Sequence, residues 1–446
     1  MKRNARFLAA LLVALAGAAG AVAAPRPEPD RVQALQTELQ KLRATVEALR
    51  RDLDAARQQL AAGTTAAFDE RLQSLEAQLA SLRQDLQREL EQHKRDTDQA
   101  AQQAEAETRR TNLTVYGTFD ATGYRGQDPL FDAKAFELVV SGRPHPRLGF
   151  FAEVEFERGA GVGAERGGEV VVEQAYANFM FNPALSLRAG VLLVPFGNVN
   201  IDHYAPQRDV IGKPLTSYVI APSDWTDNGL GFYGRFSLSE AWRLSYEAYA
   251  VAGLGSAIDT TGTRAARQGY GVDNNANKAL VGRTALNRLG SFELGLSGYS
   301  GKYDDANRQR LDGWAADGLL RLGPLKLTGE YNWMRADRGP QRDTLMRGFY
   351  GRAVLGLGRH ALPGPLTRDF TAPEWAAVAQ FDEVRIDGSL ERAFVQNRER
   401  RTTFGLNYRP TPQWVLKLNY ELNDSVGQPL LSGDNDGWLG SIGFVF

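Results

Sequence analysis

The period of the apolar residues changes once along this chain and never changes back. Up to about residue 90 they recur every three or four positions, and from Asn112 onward they recur every two. A period of two is that of a strand with unlike faces. Residues 170–197, VVVEQAYANFMFNPALSLRAGVLLVPFG, show it in compact form. One parity carries Val171, Ala175, Ala177, Phe179 and Phe181, and the other carries Gln174, Tyr176 and Asn178. Asn182-Pro183 supplies a tight turn, after which Leu185, Leu187, Ala189, Val191 and Leu193 alternate with Ser186, Arg188 and Gly190, completing a hairpin. Past Pro195-Phe196-Gly197 the periodicity lapses until Asn228, and a loop of that length inside a strand array is usually functional.

The amino terminus has a different logic. Lys2, Arg3 and Arg6 precede an apolar run from Phe7 to Val22, which ends in Ala21-Val22-Ala23-Ala24 before Pro25 and Pro27. That pattern is a secretory signal over residues 1–24. The chain has no cysteine, so it has no disulfides and suits an oxidising compartment. Next, Val32, Leu35, Leu39, Leu42, Val46, Leu49, Leu53, Ala56 and Leu60 are spaced as the a and d positions of a coiled coil. After Gly63-Thr64-Thr65 the pattern restarts at Phe68 and runs through Leu72, Leu75, Leu79, Leu82 and Leu86, displaced by one residue. One long rod with a local irregularity and an antiparallel hairpin both fit. Residues 91–110 read as a polar linker.

The period-two region carries polar residues on one face throughout. Leu113, Val115 and Phe119 oppose Thr114, Tyr116, Thr118 and Asp120, and Leu148, Phe150, Ala152, Val154 and Phe156 oppose Glu153, Glu155 and Glu157. Three successive carboxylates on one face are incompatible with a dry core. A soluble sandwich would turn its apolar parity inward and cover the other with lysine-rich surface. Here lysines are scarce, and Trp242, Trp414, Tyr420, Trp438, Phe444 and Phe446 lie at strand ends, as an interfacial girdle requires. The turns are short at 143–147, 182–184, 237–241, 322–324 and 410–413, and long at 158–168, 195–227 and 253–277. That alternation is the two-sided asymmetry of a membrane barrel, with residues 359–375 as an exceptionally long connection on the short-turn side. The fold expected is an all-β transmembrane antiparallel barrel over 111–446, preceded by an α-helical coiled coil. A mean hydropathy of -0.36 speaks against a helical membrane protein.

The segment from Gln174 to Gly234, with its Asn-Pro turn, Leu187-Arg188-Ala189-Gly190, the Pro195-Phe196-Gly197 corner and Trp225-Thr226-Asp227-Asn228-Gly229, resembles the phosphate-selective porin O and P family of Gram-negative bacteria. Leu113 to Asp120, LTVYGTFD, is similar to the first barrel strand of general porins, and Phe446 with Phe444 and Ile442 is similar to the carboxy-terminal signal read by the barrel assembly machinery. The resemblance implies trimers of barrels with about sixteen strands in the outer-membrane lipid. It also implies a third external loop folded inward as a constriction. Residues 25–110, outside the resemblance, are expected to form a periplasmic coiled-coil stalk and linker. The lysine clusters associated with phosphate selection in that family have no evident counterpart.

By parity Arg188, Arg235, Arg243, Arg283 and Arg321 face the lumen, as do Glu153, Glu155, Glu157, Glu247 and Glu330, and the long loop adds Asp202, Arg208, Asp209, Lys213, Asp224 and Asp227. A pore lined by both signs favours water and small polar solutes, although such charges in many barrels only pair across the wall. The four histidines, His93, His145, His203 and His360, show no metal spacing and no nucleophile beside them, and His203 reads as a solvated loop residue. No enzyme activity, cofactor, metal or nucleic-acid partner is expected. Two functions fit: passive diffusion of small hydrophilic solutes or ions, with anion preference left open, or a structural tether whose coiled coil grips peptidoglycan or a periplasmic protein.

Overall fold

The computed structural model describes residues 111–158, 168–222, 224–358, 370–390, 393–430 and 435–446, and five isolated helical positions, Arg51, Ala55, Gln58, Ser74 and Ala77. Those five are exposed. The apolar seam, the signal and the linker lie outside the described residues.

Within the unit Glu107–Phe446, sixteen strands close into one antiparallel barrel. They are β1 (Thr111–Tyr124), β2 (Leu130–His145), β3 (Leu148–Glu157), β4 (Val170–Asn182), β5 (Leu185–Leu193), β6 (Thr226–Ser237), β7 (Trp242–Val251) and β8 (Ala279–Arg288). The second half is β9 (Phe292–Lys302), β10 (Arg310–Leu322), β11 (Leu325–Ala336), β12 (Thr344–Gly358), β13 (Glu374–Leu390), β14 (Ala393–Arg409), β15 (Trp414–Val426) and β16 (Gly437–Val445). Each strand pairs with its sequence neighbours, and β16 closes on β1 from Tyr116 opposite Val445 to Tyr124 opposite Gly437. Phe446 ends the seam by exchanging two backbone hydrogen bonds of 2.8 Å with Val115.

The barrel is inverted relative to a soluble protein. Phe131 and Leu296 are 76% and 59% exposed on its outer face, whereas Glu153, Asp382 and Asn332 are fully buried on its inner face. Only a molecule with lipid outside gains by this arrangement. The connections 146–147, 183–184, 238–241, 289–291, 323–324 and 410–413 form the short-turn rim, which also carries the long connection 359–373 between β12 and β13. On the opposite rim β13 and β14, each 17 residues long, run further than the roughly ten that a tilted crossing needs.

One irregularity alters the reading of β4. Glu153 pairs with Gln174, but the next pair is Val154 with Val172, which leaves Glu173 as an extra residue on β4. A bulge of this kind breaks the alternation. Val170 and Val172 face outward before it, at 58% and 37% exposed, and Phe179 and Phe181 face outward after it. The apolar parity assigned to Val171 from the sequence is therefore corrected. The bulge buries Glu173 and Gln174 together on the inner side.

The densest apolar packing sits inside the lumen. Residues 194–225 between β5 and β6 fold inward, with one turn of helix, α1 (Thr216–Val219), and bury Val194, Phe196, Leu215, Val219, Ile220 and Trp225 against β7 to β13. At about 1.5–3 kcal/mol for each larger side chain, this face contributes a large share of what holds the loop in the lumen. Residues 252–278, expected to be an external loop, pack on the same cluster through Leu254, Ile258 and Ala266. Thr263 donates from its N–H to Val219 O at 3.0 Å and from Oγ1 to Ile220 O at 2.8 Å.

Candidate functional site

The inward loop leaves the wall through a built corner. Gly197 adopts φ 75°, which only glycine takes up easily, and a Cβ there would fall on the Glu330 carboxylate. Its N–H donates to Ser297 Oγ at 3.1 Å, while Glu330 Oε2 accepts from Asn198 N at 2.7 Å and Val199 N at 3.0 Å. Asn200 ties the two ends of the loop together. Its Nδ2 donates to Val194 O and Trp225 O at 2.9 and 3.0 Å, and its Oδ1 accepts from Trp225 N at 2.8 Å.

Further along, the wall satisfies the loop backbone. Lys417 donates to Ala205 O at 2.7 Å, Arg409 to Pro206 O at 3.0 Å, Asn407 to Asp209 O at 2.7 Å and Arg401 to Lys213 O at 2.5 Å. Asn419 and Asp382 accept from Ile211 N and Leu215 N at 2.7 and 3.1 Å. The segment spans the lumen and is anchored on both sides.

Between this loop and β1 to β4 lies an opening of about 400 Å³. Glu137, Glu155, Glu157 and Glu173, with Lys134 among them, line its wall side, and Arg208, Lys213 and Asp224 line its loop side. Opposed charges of this kind set a transverse field across the gap. Arg401 and Glu421, 3.5 Å apart, also line it.

The residues singled out from the sequence divide into three groups. Glu155, Glu157, Arg208, Lys213 and Asp224 border the opening. Lys213 and Asp224 pair with each other, while Arg208 also donates to His203 O and Ile211 O at 3.2 and 3.1 Å. Arg235, Arg243 and Arg321 lie on the lumen parity close to the short-turn rim and are exposed. The remainder, apart from Asp202, brace the barrel. Arg188 lies between the rings of Tyr176 and Tyr233, 4.2 and 4.4 Å from their centroids, and 3.9 Å from Glu247. Arg283 joins Asp317 at 2.5 Å and Glu293 at 2.9 Å. Glu330 caps the loop corner, and Glu153 is buried beneath the loop. Asp209 points away from the opening, to Lys326 at 2.7 Å and Arg352 at 3.4 Å. Asp227 belongs to β6, where it is buried and accepts from Gly253 N at 2.7 Å. As pore-lining residues Glu330, Glu153, Asp209 and Asp227 are therefore corrected, because each is consumed in holding a loop. Asp202 is exposed.

His203 departs furthest from expectation. It is 5% exposed, with Nε2 3.3 Å from both Glu153 Oε2 and Glu173 Oε2, and its ring stacks on Tyr204. Burial disfavours the imidazolium, but the two carboxylates outweigh it and raise the pKa well above the ordinary histidine value. For Asp209 burial opposes ionisation, while Lys326 and Arg352 overcome it and hold the carboxyl below the usual range. Lys213 does the same for Asp224.

No family model matches the chain. A protein of Aquifex aeolicus (strain VF5), described as uncharacterized, is 25% identical over 363 residues, covering 74% of this chain and 79% of that protein. Among solved structures, OmpF of Salmonella typhi in complex with daunomycin gives a TM-score of 0.52 at 12% identity, covering 76% of this chain and 98% of that one. An anion-selective porin from Comamonas acidovorans gives 0.51 at 12%, with 76% and 100% covered. The loop L8 deletion mutant of OmpT, an outer-membrane protein of Vibrio cholerae, gives 0.51 at 9%, with 76% and 99% covered. The fold is that of outer-membrane porins.

Proposed function

We propose that the protein is an outer-membrane porin, a water-filled channel for passive diffusion of small hydrophilic solutes or ions. The observation that carries this reading is the opening between the inward loop and β1 to β4, bordered by carboxylates on one side and Arg208 and Lys213 on the other. A closed barrel that kept such a gap only for stability would fill it, since packed apolar side chains are often as stabilising as buried charges. Carboxylates outnumber cationic side chains around the gap, which favours cation passage over the anion preference that the sequence left open. The finer likeness to phosphate-selective porins rests on the Gln174–Gly234 segment alone.

In the same reading the chain is exported by its amino-terminal signal, assembles as a homotrimer through the barrel assembly machinery, and carries a periplasmic coiled coil. The rival is the tether that binds peptidoglycan or a periplasmic protein, and the close docking of 194–225 across the lumen favours it. Planar-bilayer recording separates the two. Stepwise conductance with three substates per insertion and a reversal potential towards cations is expected. Folded, heat-modifiable protein that inserts and never conducts would leave the tether standing.

A further inference from the structure

Where the loop meets the wall, four ligand-type side chains converge from four separate elements: Glu137 of β2, Glu153 of β3, Glu173 of the β4 bulge and His203 of the loop. One ligand atom from each lies within 4.8 Å of the others, and all four residues are buried. His203 Nε2 is 3.3 Å from Glu153 Oε2 and 3.3 Å from Glu173 Oε2. A single proton on Nε2 can serve only one of them. Glu153 takes that hydrogen bond, and Glu173 Oε2, in a residue 4% exposed, faces the same nitrogen with no hydrogen-bond partner. The same shortage recurs next door, because Tyr116 has one hydroxyl proton for Glu137 and Glu153 together. Three carboxylates around at most one imidazolium leave buried negative charge uncompensated, which is costly.

We propose that these residues form a binding site for one divalent ion of the zinc class, ligated by His203 Nε2 and by carboxylate oxygens of Glu153, Glu173 and Glu137. Zinc–ligand bonds of about 2.0–2.2 Å in a tetrahedron set neighbouring ligand atoms roughly 3.3–3.5 Å apart, and both His203–carboxylate separations are 3.3 Å. The surroundings also suit a metal. His203 Nδ1 lies 3.4 Å from Ile201 O, and a proton placed on Nδ1 leaves the Nε2 lone pair directed at the carboxylates. Gln174 Nε2, 2.5 Å from Glu153 Oε2, and the Tyr116 hydroxyl, 2.7 Å from Glu153 Oε1, orient the Glu153 carboxylate from outside. The imidazole distinguishes the ion class, since magnesium and calcium are served by oxygen ligands.

The test uses the full chain folded in detergent, stripped with a chelator and titrated with Zn²⁺, with Mg²⁺ and Ca²⁺ as comparators. Metal per chain is read by elemental mass spectrometry and affinity by calorimetry. One Zn²⁺ per chain is expected, with Mg²⁺ and Ca²⁺ bound far more weakly. Glu173→Gln and His203→Gln should each weaken Zn²⁺ binding by more than about 100-fold, beyond the range of outer-shell changes. Asp132→Asn, which alters a carboxylate of the same opening outside the cluster, should leave binding unchanged. No uptake by the wild type, or equal uptake by the two ligand variants, overturns the proposal. If a ligand variant loses the heat-modifiable barrel, zinc-edge X-ray absorption of the wild type decides instead, and a coordination sphere without imidazole overturns it. None of these readouts uses conductance, so the site and the channel stand or fall separately.

Discussion

Lys326 Nζ lies 2.7 Å from Asp209 Oδ1, joining the lumen loop to β11 on the side away from the opening. Arg352 of β12 reaches the other carboxylate oxygen at 3.4 Å. The charged stretch of the loop is thereby sorted: Asp209 fastens it away from the opening, while Arg208 and Lys213 border the gap and also bond within the loop, to His203 O and Ile211 O and to Asp224.

This fastening sets an acid limit. Asp209 faces Lys326, Arg352 and more distantly Lys417 and Arg409, and its folded pKa is depressed. A depressed carboxyl stabilises the docked loop at every pH above its unfolded value of about 3.9. The contribution is lost as pH falls through the lower, folded value. Single-channel conductance should therefore be steady from neutral pH down to about pH 5 and become noisy only in stronger acid. Asp209→Asn should produce that noise at neutral pH, because breaking a buried pair costs about 3–5 kcal/mol. A quiet trace from the variant would show that Asp209 does not hold the loop.

The loop corner offers a second test. Glu330→Ala strips the acceptor from the N–H groups of Asn198 and Val199, at about 1–3 kcal/mol for each orphaned buried donor. Gly197→Ala adds a Cβ at φ 75° against the same carboxylate. Both variants should keep a heat-modifiable barrel and show raised, unstable conductance. Wild-type conductance in both would mean that the corner is not what positions the loop.

Charge reversal probes the gap itself. Arg208→Glu with Lys213→Glu should move the reversal potential further towards cations without making selectivity complete, since Arg401 persists at the opening, and heat-modifiability checks that the barrel survives loss of the Lys213–Asp224 pair. An unmoved reversal potential would take the gap out of the conduction path.

At the seam, deleting Phe446 removes its two hydrogen bonds to Val115 and its ring contacts with Trp414 and Phe444 at 5.9 and 5.8 Å. The folded fraction recovered from the outer membrane should drop, leaving unfolded chain in the periplasm. Undiminished recovery would show that barrel closure does not depend on the terminal ring.

The barrel was legible because lipid enforces alternation residue by residue, as in β3, where Glu153, Glu155 and Glu157 stand against Val154 and Phe156. Two strands that extend furthest were harder to see. Over 382–387 and 396–400, β13 and β14 carry Arg385, Glu383, Arg398 and Arg400, whose charges blur the pattern. The inward fold of the loop was legible in outline from its length and its Pro195-Phe196-Gly197 corner. What held it was not, because charge drew attention away from Val210, Ile211, Leu215, Val219, Ile220 and Trp225, an apolar series out of place in a solvated loop. The surroundings of His203 could not be read from spacing at all. Its partners come from strands 30 to 66 positions away in sequence, and one of them, Glu173, sits on the parity that β4 gives to lipid after the bulge.

The bulge at Glu173 gives that cluster an unusual genetic footing. Removing the one extra residue would restore unbroken pairing between Glu153–Gln174 and Val154–Val172 and leave every lipid-facing side chain of β4 where it is. An in-frame triplet deletion or insertion is thus enough to erase or install a carboxylate beneath the loop, with the membrane span untouched. The interior chemistry of this barrel can diverge between lineages by a single codon of length, a change that comparison of aligned residue types alone would register only as a gap.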